Sequence, residues 1–162
     1  MKKCYTFDDV QLVPKYSDIN HRTDCTTITK VTKNVWLEMP LVSSPMDTIT
    51  GYDMAFEMDN LGGMGFLHRF QSTEDIVRQI REFKVSRVGG TIGASIGVTG
   101  NYLEQTQAYI DAGAQIILID VAHGHHKLVK EAIRRLKNEV KGTFDILGGN
   151  IATKEAARDL CE

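Results

Sequence analysis

The chain has 162 residues, of which 42% are hydrophobic and 25% are charged, and its formal net charge is −2. This composition suits one globular domain with a sizeable core, and the small charge gives no reason to expect a nucleic-acid partner. No apolar run is long enough to cross a membrane, and "MKKCYTFDDV" does not resemble a secretory signal. Three scattered cysteines without C-x-x-C spacing indicate reduced thiols, so we expect a cytoplasmic protein with no membrane contact.

The first 39 residues differ in pattern from the rest of the chain. The stretches "TFDDVQLVPKYSDI" and "TTITKVTKNVWLEM" are rich in Thr, Val and Ile, which predicts short strands or a hairpin. We therefore expect an N-terminal extension over residues 1–39 that leads into a main domain over residues 40–162.

Apolar runs alternate with amphipathic segments through the main domain. Five strands are predicted, in the stretches "MPLVSSPM", "GMGFLH", "RVGGTIGASIG", "AQIILIDVAHG" and "FDILGGN". A helix is predicted after each, with Ser72 and Thr153 as N-caps and with Gly62 and Gly113 as helix stops. Helical spacing assigns these residues to the buried faces of the first four helices: Met54, Ala55, Met58 and Leu61; Ile76, Val77, Ile80 and Phe83; Leu103, Thr106 and Ile110; Leu128, Val129, Ala132, Ile133, Leu136 and Val140.

This alternation predicts right-handed βαβ units and a parallel sheet. A doubly wound sheet and a (β/α)8 barrel both fit the pattern. The segment "GGTIGASIG" lacks the G-x-G-x-x-G spacing, so a dinucleotide-binding fingerprint is disfavoured. Five βα units are present, whereas a closed barrel needs eight.

Polar side chains follow four of the predicted strands, in "SSPMD", "LHRF", "IDVAHGHH" and "GGNIAT". The carboxyl ends of parallel strands meet at one edge, where ligands bind in such folds. We therefore predict a site built from strand-end residues, namely Ser44, Asp47, Arg69, Asp120, His123 and Asn150. A carboxylate that ends a wholly apolar strand, as Asp120 does, is costly to bury unless it accepts hydrogen bonds. A helix-capping or loop-backbone role remains open for each residue taken alone.

The histidines of "HGHH" do not predict a metal centre. His125 and His126 are adjacent and cannot face the same way, and no Cys or Glu ligand lies near them in the sequence. We expect no metal site in this chain.

Five motifs together, "TFDDVQLVP", "SSPMDTIT", "GGMGFLHR", "IDVAHGH" and "GGNIAT", resemble the IMP dehydrogenase/GMP reductase family in order and spacing. The resemblance implies a (β/α)8 TIM barrel, incomplete here, that assembles into a homotetramer and serves purine metabolism, including GMP biosynthesis. It also implies an oxidoreductase that transfers a hydride between C2 of a purine mononucleotide and NAD or NADP. In this family the reaction passes through a covalent thioimidate on a catalytic cysteine.

The resemblance also assigns roles to individual residues. Those matched to the substrate side are Ser44, Met46 and Asn150. Those matched to the cofactor side are Asp120, Val121, Ala122 and Arg69, and His21 and Arg22 are expected to reach its far end.

Two departures from the family pattern bear on function. The paired CBS motifs of most dehydrogenases are absent after the second helix, as in GMP reductases, although "SSPMDT" and "GGMGFLH" look more like a dehydrogenase. The catalytic cysteine and the K+ site of the family are expected beyond Glu162, since Cys161 lies in a predicted helix. The chain alone is therefore expected to be inactive.

Several functions remain as alternatives to an IMP dehydrogenase-like enzyme that needs its C-terminal half supplied. One is an NADPH-dependent GMP reductase, which forms IMP. A second is a non-catalytic, nucleotide-binding or regulatory half-barrel subunit. A third is an unrelated phosphate-binding barrel lyase or isomerase.

Overall fold

The chain folds around a parallel sheet flanked by helices, in a computed structural model that describes residues 3–161. Short 3₁₀ turns lie at Phe7–Asp9 and Arg22–Asp24. The strands are β1 (Thr29–Lys30), β2 (Trp36–Leu37), β3 (Val42–Ser43), β4 (Met64–Leu67), β5 (Ile92–Ile96), β6 (Ile116–Asp120) and β7 (Asp145–Gly149). The helices are α1 (Tyr52–Asn60), α2 (Thr73–Ser86), α3 (Tyr102–Ala112), α4 (Lys127–Glu139) and α5 (Lys154–Cys161).

Strands β3 to β7 form one five-stranded sheet in chain order, and every neighbouring pair is parallel. A helix follows each of these strands, as the alternating sequence pattern predicts. The architecture is α/β and is consistent with an incomplete (β/α)8 barrel, so the predicted fold class is confirmed. Among the described residues, no helix is both long and apolar enough to cross a membrane.

The two faces of the sheet bury different cores. Alternate residues such as Ile117 and Ile119 join a large cluster with the helices. Residues whose side chains point to the opposite face of the sheet, such as Ile116, pack with Val35 and Leu37 of the N-terminal hairpin. Because side chains alternate across a strand, one apolar run serves both cores.

The antiparallel hairpin β1–β2 is fixed to the first residue of β7. The carboxylate of Asp145 accepts hydrogen bonds from Thr32 Oγ1 at 2.6 Å, from the Asn34 backbone N–H at 3.1 Å and from Asn34 Nδ2 at 2.9 Å. The predicted hairpin is thus confirmed for the second stretch of the extension.

The expectation of a strand within "TFDDVQLVPKYSDI" is wrong. Its residues form one 3₁₀ turn and otherwise no regular element. The side chain of Asp9 accepts hydrogen bonds from the Thr6 backbone N–H at 2.9 Å and from Thr6 Oγ1 at 3.1 Å. These local bonds offer the backbone an alternative to pairing with a strand.

The glycine-rich strand β5 makes room for an aromatic ring. A Cβ at Gly93 would lie 2.3 Å from Cδ1 and Cε1 of Phe66 on β4, which is far inside normal contact. Phe66 is 2% exposed and belongs to the core that the hairpin covers. The glycines of "GGTIGASIG" therefore include one required by packing between neighbouring strands.

The helix boundaries agree with the predicted signals. Ser72 Oγ accepts from the Asp75 N–H at 3.1 Å, and Thr153 Oγ1 accepts from the Ala156 N–H at 3.1 Å. Gly62 follows the C-cap residue Leu61 of α1, and Gly113 directly follows α3. They take positive φ angles of 84° and 113°, which ends both helices.

The predicted buried faces hold for α2 but need correction elsewhere. On α1 only Ala55 is fully buried, because Gly65 of β4 brings the helix backbone close to the sheet; Met54 and Leu61 are 41% and 63% exposed. On α4, Leu128 in the first turn is 36% exposed, whereas Val129 is buried. On α3, Thr106 is buried as predicted, but Leu103 and Ile110 are only half-buried, and Tyr102 and Tyr109 are buried in their place.

Candidate functional site at the carboxyl ends of the strands

The loops that follow β3, β4, β6 and β7 leave the sheet at the same edge, because all four strands are parallel. These loops contain Ser44, Arg69 and Asn150, and Asp120 is the last residue of β6. Ser44, Met46 and Asn150 are all exposed. The edge is therefore accessible, and seven of the nine predicted binding residues follow or end strands there.

The loop after β3 is closed by hydrogen bonds that involve Thr50. Its hydroxyl contacts the carbonyl oxygen of Ser44 and, at 2.9 Å, the hydroxyl of Ser43. The N–H groups of Ile49 and Thr50 both donate to the carbonyl of Met46 at 3.0 Å. Ser44 and Met46 thus lie on a compact turn, and Thr50 is completely buried beneath it.

An ion pair joins the loop after β4 to the end of β6. Arg69 Nε lies 3.8 Å from Asp120 Oδ2, and these side chains are 38% and 26% exposed. The guanidinium also lies over the ring of Phe70, with its carbon 4.7 Å from the ring centroid. Arg69 lies beside Gly97, which directly follows β5; a Cβ at Gly97 would meet only Arg69, at 3.8 Å. This contact is partly exposed, so it orients the two side chains more than it stabilises the fold.

The loops after β6 and β7 are bonded to each other through their backbones. The Asn150 N–H donates to the Val121 carbonyl at 2.7 Å, and the Gly124 N–H donates to the Asn150 carbonyl at 2.7 Å. A Cβ at Gly124 would lie 2.7 Å from the Gly149 carbonyl carbon and 2.8 Å from the Asn150 oxygen. The two loops can approach this closely only because residue 124 is glycine.

Two of the three histidines of "HGHH" have separate partners. His126 Nδ1 accepts from the Leu128 N–H at 3.2 Å and caps α4, whereas His125 Nε2 lies 3.0 Å from Asp159 on α5. The hydrogen bond to His125 and the charge of Lys130 hold the pKa of Asp159 below its ordinary value. Within residues 3–161, no group of three or more His, Cys, Asp or Glu side chains is arranged to hold a metal.

Two of the predicted cofactor residues, His21 and Arg22, make no hydrogen bond or ion pair with the strand-end loops among residues 3–161. His21 and Arg22 lie in the exposed N-terminal segment, where the His21 N–H donates to Asp24 at 3.0 Å. Their assignment stays a prediction. All three cysteines are exposed, and none follows a strand: Cys4 and Cys25 precede the hairpin, and Cys161 ends α5.

A groove lies elsewhere on the surface. It has a volume of about 680 Å³, is lined by α2 and by Ala108 of α3, and contains none of the candidate residues. Its lining is mostly exposed surface of α2, and no strand end contributes to it. The candidate residues lie at the strand ends, away from this groove.

Two residues that shape the site were missed by sequence reasoning, Thr50 and Gly124. Both lie inside quoted motifs, "SSPMDTIT" and "IDVAHGH". In the sequence, Thr50 is marked only by its place at the end of a loop that contains Ser and Pro, and Gly124 only by its place between two histidines. Neither signal separates a structural requirement from ordinary turn composition without the folded geometry.

This fold and its strand-end loops define the class as parallel α/β proteins with the geometry of an incomplete (β/α)8 barrel. Comparison with known proteins is more specific, because the model of the IMP dehydrogenase / GMP reductase domain matches residues 4–162. The chain belongs to the IMP dehydrogenase/GMP reductase family.

Its curated relatives include both enzymes. The chain is 30% identical to inosine-5'-monophosphate dehydrogenase of Cryptosporidium parvum, with 99% of the chain and 49% of the relative covered. It is 33% identical to GMP reductase of Enterococcus faecalis, with 98% and 48% covered. It is 28% identical to inosine-5'-monophosphate dehydrogenase of Borreliella burgdorferi, with 98% and 51% covered. The chain thus spans about half the length of these relatives.

Proposed function

We propose that the chain supplies the nucleotide- and cofactor-binding strand ends of a purine-nucleotide oxidoreductase. The reaction would transfer a hydride between C2 of IMP or GMP and NAD or NADP. The observation that carries this proposal is the direct backbone bonding of Val121 to Asn150, at 2.7 Å, beside the Arg69–Asp120 pair. It would hold a substrate-side residue and cofactor-side residues together at one edge, as hydride transfer between two stacked rings requires.

The residues at the end of β6 fit a nicotinamide nucleotide. In the described chain the carboxylate of Asp120 makes no hydrogen bond, and its contact with Arg69 is 3.8 Å long. Its oxygens can therefore accept hydrogen bonds from ribose hydroxyls. Ala122 is small and exposed, which leaves a surface on which a planar ring can lie. When bound, the nicotinamide would supply or accept the hydride.

The loops after β3 and β7 fit a purine mononucleotide. Ser44 offers a hydroxyl, Asn150 offers an amide with donors and an acceptor, and both are exposed. Met46 is 49% exposed on the same turn as Ser44 and offers an adaptable apolar surface to a ring. These three side chains would orient the nucleotide and do not themselves provide a nucleophile.

None of the three cysteines of this sequence follows a strand, so none lies at the strand ends. The nucleophilic cysteine of the reaction would therefore have to be a different one. We therefore propose that turnover needs a complementing C-terminal segment, which would also carry the K+ site. The same observation favours a second candidate, a non-catalytic nucleotide-binding subunit. The dehydrogenase or reductase direction, the homotetramer and the cytoplasmic location remain predictions.

Complementation tests the proposal. The chain would be mixed with the C-terminal half of the Enterococcus faecalis GMP reductase or of the Cryptosporidium parvum dehydrogenase. We expect NADPH oxidation with GMP or NAD reduction with IMP, followed at 340 nm. Asp120→Ala should abolish it, whereas Asp53→Ala, which alters an exposed carboxylate on α1, should not.

Two outcomes would contradict parts of the proposal. An assembled mixture that binds IMP or GMP but shows no turnover would favour the non-catalytic subunit. A chain that folds and binds neither nucleotide, alone or complemented, would refute both candidate functions.

A further inference from the structure

Thr50 is a buried polar residue beneath an exposed loop. It is 0% exposed, and in residues 3–161 only Ser95 and Thr106 are polar residues buried to a similar degree. A buried hydroxyl that lacks a hydrogen-bond partner is costly, so the partners of such a group are specified by the fold. The partners of Thr50 are all in the segment that carries Ser44 and Met46.

The hydroxyl of Thr50 contacts two oxygens with different chemistry. The Ser44 carbonyl can only accept, whereas the Ser43 hydroxyl, 2.9 Å away, can also donate. Every group is satisfied when Thr50 donates to Ser44 and Ser43 donates to Thr50. The same Ser44 carbonyl accepts from the Met46 N–H at 2.9 Å. One hydroxyl thus fixes the carbonyl around which the exposed turn is built.

The Ser43 hydroxyl is packed against strand β4 and helix α1. A Cβ at Gly65 would lie 3.0 Å from Ser43 Oγ and 2.8 Å from the Cα of Ala55. Strand β4 and helix α1 therefore leave the Ser43 hydroxyl little room to turn away. The conformation of the turn is tied to rigid elements through Ser43 and Thr50.

We infer that Thr50 is a positioning residue for nucleotide binding: its hydroxyl holds Ser44 and Met46 in the conformation that receives the purine nucleotide. This inference rests on the proposed function, which places those two residues against the substrate. Thr50 is buried and would not touch the nucleotide itself. Its loss should weaken the binding of IMP and GMP and leave the binding of NAD or NADP unchanged.

Thr106 provides a matched control, because it is also 0% exposed and its hydroxyl also donates to a backbone carbonyl, that of Tyr102 at 2.8 Å. Thr50→Val and Thr106→Val remove the same group at equal burial. Nucleotide affinity would be measured by NMR titration of the labelled 162-residue chain with IMP and GMP. We expect Thr50→Val to weaken affinity roughly tenfold, Thr50→Ser to restore it to within about twofold, and Thr106→Val to leave it unchanged.

The amide signals give a second readout. Thr50→Val should shift the signals of residues 44–49, and Thr106→Val should not. If Thr50→Val does not fold, Ser43→Ala removes one of the two bonds of the Thr50 hydroxyl, with an expected loss of about threefold. Equal affinity in the wild type and in the folded Thr50 or Ser43 variant would overturn this inference alone. Absence of binding by the wild type would instead refute the proposed function on which it rests.

Discussion

Replacement of Gly93 by alanine tests whether the packing between β4 and β5 is as tight as the structure indicates. The new Cβ would lie 2.3 Å from two carbons of the Phe66 ring, and normal carbon contacts are about 3.5 Å or longer. The ring would therefore have to move by about 1.2 Å. Phe66 is 2% exposed and packed among hairpin and strand residues, so this displacement has no free space to use.

Overpacking of this kind costs about 1–3 kcal/mol. The lower chain entropy of unfolded alanine offsets part of that cost, by about 0.4–1 kcal/mol. We expect Gly93→Ala to lower the free energy of unfolding by about 1.5 kcal/mol, measured by urea denaturation. Gly97→Ala is the matched control, because a Cβ there would meet only Arg69, at 3.8 Å, and should change stability by less than about 0.5 kcal/mol.

A double-mutant cycle identifies the cause of the loss. Phe66→Leu shortens the side chain that obstructs the new Cβ, so the two substitutions together should cost at least about 1 kcal/mol less than their sum. An unchanged stability of Gly93→Ala, or strict additivity with Phe66→Leu, would refute the assigned contact.

Three further predictions concern the hairpin, the loop junction and the α4–α5 contact. Asp145→Ala removes the acceptor of three hydrogen bonds and should lower the free energy of unfolding by about 2 kcal/mol in urea. Gly124→Ala should force its loop away from Asn150, costing about 2 kcal/mol in the same assay and weakening IMP binding in titrations. His125 keeps the pKa of Asp159 below its ordinary 3.8. The stability that this contact contributes is therefore present above pH 3.8 and is lost as the pH falls through the lowered pKa. In acid-unfolding curves, Asp159→Asn should remove this pH-dependent part of the stability.

The sequence predicts the sheet well because its strands are short, apolar and bounded by clear helix signals. The run "AQIILID" must be a buried strand, and it contributes Ile116 to one core and Ile117 to the other. Parallel pairing then places Asp120 and Asn150 at the same edge without knowledge of side-chain positions. The candidate site could be predicted for the same reason.

The contacts within the site could not be predicted in the same way. The Arg69–Asp120 pair depends on Arg69 lying beside Gly97, which directly follows the strand between them. The role of Thr50 depends on its burial under a turn, and Asp145 is needed for a hairpin that begins 116 residues earlier in the chain, at Thr29. Such contacts arise from the three-dimensional approach of loops, for which a single sequence carries no periodic signal.

The central claim is that the carboxyl ends of β3, β6 and β7 bind a purine nucleotide and a nicotinamide cofactor side by side. The most direct test is an NMR titration of the labelled chain with IMP or GMP, followed by NAD or NADP. We expect the nucleotide to shift the amide signals of Ser44, Met46 and Asn150, and the cofactor to shift those of residues 120–122. Signals that move only along the α2–α3 groove, or that do not move with any of the four ligands, would contradict it.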